Sequence, residues 1–234
     1  MICSHYDRVR IVNLKSRTDR RREMERELAY VGLLDDPRVA FFDAYRFTEP
    51  GAFRRAGSRG AFHSHLQILR EAAAAKESVV ILQDDCEFLP AIHNYLPPTS
   101  CDVLYGGYHA LDPNDLHNGG IIGAHFMGFS AKAARLAAAY LDAFLLPGFQ
   151  PDQLAAAAPG FDASIKPPID GALVWFRRAH PHLHTEFAML STQRASRTDI
   201  GDRRFHDRIW GLQQAAQTFR SLGRTVRYRY AANR

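Results

Sequence analysis

The sequence predicts an α/β fold with a mostly parallel central sheet, and three observations carry that reading. Short β-branched or apolar runs alternate with segments of helical periodicity along the whole chain. The run 78–83 (SVVILQ) is continuously apolar rather than alternating, as expected of a strand covered on both faces. Neither an internal repeat nor a cysteine framework points elsewhere. Cys3, Cys86 and Cys101 are odd in number and widely spaced, which fits a reducing compartment.

Taken in order, residues 8–14 (RVRIVNL) read as the first strand and 20–31 as the first helix. Thr18 is the candidate cap, Met24, Leu28 and Val31 fall on one face, and Gly32 is a natural stop. A second strand is expected over 39–45, a basic glycine-containing loop over 51–60, and a helix over 61–75. The central strand follows at 78–83 and ends in Asp84 and Asp85. Further strands are expected at 102–105, 121–129 and 183–190, and helices at 131–145, 169–177 and 207–222. Residues 147–168 hold five prolines and two glycines and form the one long irregular stretch. Loops of that length in a compact domain are commonly lids or binding loops. The expectation is one domain over 1–234, closed by a basic helix and tail from 207 onward.

With 234 residues, 46% of them hydrophobic and 24% charged, the chain can bury a full core without disulfides or metal. The net charge of +5 suits an anionic partner such as a nucleotide diphosphate, an acidic glycan or a phospholipid surface. No signal peptide is expected, and the apolar run 137–149 is too short to span a bilayer. A cytoplasmic protein is therefore expected. Arg203, Arg204, Arg208, Arg220, Arg224, Arg227 and Arg229 form a basic face open to solvent, to an anionic acceptor or to the inner face of an acidic membrane. Interleaved aromatic and basic strand motifs are missing, so no specific nucleic acid is expected.

The segment 79–87 (VVILQDDCE) is the most informative. A buried strand that ends in adjacent carboxylates sets them at the carboxyl edge of the sheet, where ligands bind in open α/β folds. Two neighbouring negative charges are best tolerated opposite a cation or hydrogen-bond donors. Magnesium or manganese would accept their oxygens together with substrate phosphate oxygens, and arginine forks match phosphate geometry.

Six separated stretches resemble glycosyltransferase family 25, which includes lipooligosaccharide transferases and collagen galactosyltransferases. They are 11–24 (IVNLKSRTDRRREM), 57–66 (GSRGAFHSHL), 79–88 (VVILQDDCEF), 125–136 (HFMGFSAKAARL), 168–173 (PIDGAL) and 193–200 (QRASRTDI). They occur in order from about residue 8 to 200. Gln83 stands where that family commonly has glutamate, and Ala61 where cysteine is common. The first change removes one charge from the expected metal site.

The resemblance implies a Rossmann-like, GT-A type single domain that moves a hexose, such as galactose, from a UDP-linked donor to a glycan or glycolipid hydroxyl with a manganese or magnesium ion. In that reading Asp85 and Asp84 hold the metal, and Asp84 also reaches the donor. Asn13, Arg17 and Arg20 follow the first strand, where the nucleotide would lie. Ser64 and His65 flank the site, with His65 either touching the donor or holding the Asp84 loop; His63 faces solvent. Asp170 is the first candidate for the base that takes the acceptor proton, ahead of Glu87 and Asp199. Two other readings use the same residues. One is a metal-dependent hydrolase that adds His180, His182 and His184 of HPHLH to the aspartates; the other is a degenerate transferase-like binding protein.

Overall fold

The computed structural model describes residues 5–150, 152–158 and 160–194. The elements run in the order β1 (Arg8–Asn13), α1 (Thr18–Tyr30), β2 (Val39–Asp43), α2 (Ala56–Ala75), β3 (Val79–Gln83) and β4 (Cys86–Phe88). They continue through β5 (Val103–Ala110), β6 (Ile121–Phe129), α3 (Ala131–Leu145), α4 (Gln153–Ala156), α5 (Ile169–Ala179), β7 (Thr185–Phe187) and β8 (Ser191–Gln193). Six strands form one sheet in the order β2-β1-β3-β6-β5-β7, and β4 pairs with β8 in a small second ladder. β1 is parallel to both β2 and β3, and β5 is parallel to β7. β6 runs antiparallel to both of its neighbours, so it is the single reversed strand of the six. The expected mostly parallel α/β sheet is present.

β3 shows why the sheet is covered on both faces. Val79 and Ile81 pack among residues of α2, α3 and α5, whereas Val80 and Leu82 pack with Met24 and Leu28 of α1 and with Phe88. All four are fully buried. The period of two sends alternate apolar side chains into two separate cores, so a strand with no polar alternation stays in register.

Several boundaries differ from the sequence reading, β5 among them, which runs to Ala110 rather than 105. α1 begins at Thr18, with Arg17 at the cap position and no side-chain cap bond, so Thr18 lies inside the helix. α2 begins at Ala56 and takes in half of the expected 51–60 loop. The expected strand 183–190 contracts to Thr185–Phe187. The 147–168 stretch contains the short helix α4, and its end is tied by a parallel bridge between Lys166 and Phe53 just ahead of α2. The expected helix 207–222, the basic tail and Asp199 lie outside the described residues. No helix of the described residues is long and apolar enough to cross a membrane.

Candidate functional site

Parallel β1, β2 and β3 bring three chain exits to one edge, with Asn13 paired to Asp43 and Val12 to Gln83. Asp84 and Asp85 follow Gln83 in the turn to β4, and the Asp84 amide donates to the Val12 carbonyl at 3.1 Å. Both aspartates line a cleft of about 310 Å³. Its walls are Leu14, Arg17 and Arg20 after β1, Tyr45 to Phe47 after β2, and Ala56 and Gly57 at the start of α2.

The aspartate tip is held by a polar network. Asn13 Nδ2 donates to Asp84 Oδ2 at 2.7 Å and to the Arg17 carbonyl at 3.3 Å, which joins the turn after β1 to the tip of β3. Arg20 Nη1 donates to Asp84 Oδ1 at 2.9 Å and lies 3.9 Å from Asp85 Oδ2. Gln193 Nε2 donates to Asp85 Oδ2 at 3.0 Å, and the Arg194 amide donates to the Asp85 carbonyl at 2.7 Å. Asp85 Oδ1 is buried and has no hydrogen-bond partner among the described residues. Burial pushes both carboxyls above the usual aspartate range; Arg20 acts in the opposite sense on each, with Asn13 helping at Asp84 and Gln193 at Asp85.

The two aspartates therefore differ. Each Asp84 oxygen keeps a second lone pair but already accepts from Asn13 or Arg20, so Asp84 anchors the arginine and has no oxygen free of a hydrogen bond. Asp85 retains one. Among the described residues no group of three or more His, Cys, Asp or Glu side chains converges to hold a metal ion. A hard cation does not need such a cage, since magnesium is commonly held by one or two carboxylates plus substrate phosphates and water. The unpartnered Asp85 Oδ1 fits that pattern.

The other expected residues fall into two groups. Arg17 and Arg20 line the cleft, and Arg17 also pairs with Asp19 at 2.9 Å. Ser64 and His65 are fully buried and outside the cleft wall, so their contribution is to position it. Ser64 Oγ accepts from the Tyr45 amide at 2.9 Å and donates to the Gly60 carbonyl at 2.8 Å. The His65 ring nitrogens face the carbonyls of Ala61 at 2.9 Å and Ala124 at 3.3 Å. His63 is half-buried rather than solvent-facing, edge-on to Tyr45, Phe53 and Phe62.

Asp170 does not line the cleft. Its carboxylate accepts from the Gly123 amide at 3.2 Å and the Gly171 amide at 2.9 Å, which ties the start of α5 to the start of β6. Burial raises its pKa. Glu87 is buried in β4, also away from the cleft. Among the described residues, the carboxylates in the cleft wall are Asp84 and Asp85. The HPHLH histidines lie before β7, at the opposite edge of the sheet from the aspartates. There His184 bonds Ser100 and Glu186, and His180 bonds the Phe176 carbonyl. The convergence that a histidine-aspartate hydrolase needs is not present among the described residues.

Sequence reasoning missed Tyr45, Arg46, Phe47 and Gln193. Tyr45 is the last residue of the expected strand 39–45, and Arg46 and Phe47 fall in the unassigned stretch before the expected 51–60 loop. Gln193 reaches Asp85 across 108 positions of sequence, although it opens the 193–200 stretch. No known family model matches the chain, and no curated protein matches it.

Proposed function

We propose that this chain is a nucleotide-sugar glycosyltransferase with a Rossmann-like, GT-A type fold, similar to glycosyltransferase family 25. It would move a hexose from a UDP-linked donor to a glycan or glycolipid hydroxyl. One observation carries the reading: the paired aspartates at the tip of the central buried strand face an open cleft walled by arginines. The cleft volume of about 310 Å³ lies within the few hundred cubic ångströms usual for small-ligand pockets.

The residues divide the work by charge. Asp84, fixed by Asn13, holds Arg20 against the floor of the cleft, so the guanidinium is oriented before a ligand arrives. Arg17 stands at the turn after β1, within the same wall, where it can meet a phosphate. Gln83 lines the cleft as a neutral amide and offers hydrogen bonds to ribose or sugar hydroxyls. Asp85 lines the cleft and keeps one oxygen without a hydrogen bond, so it would be the carboxylate to hold magnesium or manganese, which would supply positive charge against the departing diphosphate. Asp170 acts from behind, by fixing the start of β6.

Thermal melting with UDP and manganese together, and with each alone, tests this reading. A ligand that binds only the native state raises the melting temperature as its occupancy grows. UDP is expected to stabilise the protein, and manganese to enlarge that shift. Asp85→Asn should abolish the manganese enhancement while leaving the unliganded melting temperature equal or higher, because it removes a buried carboxylate. If no nucleoside diphosphate moves the transition, with or without metal, the assignment falls.

A further inference from the structure

The part of the cleft wall that follows β2 has a construction of its own. The segment 45–47 leaves β2 and passes over the first turns of α2. Its backbone is held from below: the Tyr45 amide donates to Ser64 Oγ at 2.9 Å, and a Cβ at Gly60 would stand 2.4 Å from the Tyr45 carbonyl oxygen. Nothing larger than glycine allows that approach. Fixing the main chain so closely leaves three side chains, Tyr45, Arg46 and Phe47, to line the cleft.

Those side chains are arranged for a ligand. Tyr45 is 44% exposed, yet its ring is propped by Phe42, Phe47 and His63 at 6.1, 6.4 and 6.4 Å. Phe47 is in turn covered by the Arg59 guanidinium 4.0 Å from its centroid, so Tyr45 is the ring left open to the cleft. A rigid, half-exposed aromatic face at a cleft wall is a stacking platform for a planar ring. Arg46 is exposed and, among the described residues, has no ion-pair partner, whereas Arg17 pairs with Asp19 and Arg20 with Asp84.

Resting on the nucleotide reading of the cleft, we propose that segment 45–47 is its recognition wall for a nucleoside diphosphate. Tyr45 stacks on the base, and Arg46 pairs with the diphosphate. The two roles separate in the ligand: stacking acts on any nucleotide, whereas the guanidinium acts in proportion to phosphate charge.

Calorimetric titration of the full chain with UDP and with UMP, in the presence of manganese, tests the division. Tyr45→Ala should weaken both ligands by a similar factor, on the order of tenfold, and Tyr45→Phe should restore both. Arg46→Ala should weaken UDP more than UMP and so shrink the ratio of their affinities, with Arg46→Lys intermediate. A merely structural loss would leave that ratio unchanged. If the wild type binds UDP and both alanine variants bind it within twofold of wild type, the recognition wall is refuted while the cleft reading survives. If the wild type binds neither nucleotide, the cleft reading is refuted and the wall with it.

Discussion

Arg20, Asp84 and Asp85 form a charged cluster whose side chains are each 9% exposed or less. Taking such groups out of water is costly, and the arginine is what makes two adjacent carboxylates tolerable there. The energetic consequence is asymmetric. Arg20→Met removes the cation and leaves two buried negative charges, so it should cost about 3–5 kcal/mol, the range for breaking a buried pair by deleting one partner. Arg20→Met with Asp84→Asn removes a positive and a negative charge together and should recover most of that loss. Denaturant unfolding of the two variants measures the difference. Equal stability of Arg20→Met and wild type would mean that the cluster is solvated in solution. The same logic explains why Asp85, with one oxygen unengaged, is the carboxylate suited to a cation: its remaining charge is the least compensated in the cluster.

On helix α2, Gly60 and Ser64 lie one turn apart on the same face, and both act on the Tyr45 main chain. Gly60→Ala would press a methyl against a backbone oxygen, a contact that cannot be relieved by a rotamer change, and should cost about 1–3 kcal/mol. Ser64→Ala removes the acceptor of the Tyr45 amide and should cost roughly 1–3 kcal/mol. Both should lower nucleotide affinity without touching the ligand; unchanged affinity in a destabilised Gly60→Ala protein would show that the segment keeps its place by other contacts. This glycine also shows where sequence reading falls short. Gly57 and Gly60, beside Arg54, Arg55 and Arg59, look like a loop, so the helix was expected from Ala61; in the fold Gly60 provides close approach rather than flexibility, and the helix begins at Ala56. By contrast, 121–129 and 131–145 have the boundaries expected from the sequence, the helix from its alanine and leucine content, and Ser130 caps the second of these by accepting from the Ala133 amide at 3.1 Å. β4 and β8, three residues each, are too short to show a period, and their pairing joins Cys86 to Gln193. The aspartate pair was legible because a local pattern, an apolar run ending in acid, places it at the sheet edge. Its partners Gln193 and Arg20, and the displacement of Asp170 from the cleft, depend on contacts between distant segments that no local pattern encodes.

Across the whole molecule, buried ionisable groups set how stability responds to acid. His125 lies beside Gly107, Gly123 and Ser191, is 5% exposed, and burial holds its pKa down at about 4. Burial likewise lowers His65. The unfolded chain takes up protons at these rings near pH 6.5, whereas the native state resists them, so stability is lost as pH falls from about 6.5 toward 4. For His125 a shift of that size corresponds to about 3 kcal/mol, a large part of the 5–15 kcal/mol usual for a domain. Asp84, Asp85 and Asp170 act in the other direction. Their raised native pKa values mean that the folded chain binds protons before the unfolded one does, so they favour the native state as pH falls toward the ordinary carboxylate range. The two effects overlap at the acidic end, and a substitution separates them. His125→Asn should be less stable than wild type at pH 7, where it only disturbs packing, and the gap should close as pH is lowered to 4.5, where the wild type alone bears the cost of a histidine that cannot protonate. Melting curves of both proteins at half-unit steps between pH 7 and 4.5 read this directly. Parallel curves would assign the acid sensitivity of the fold to other groups.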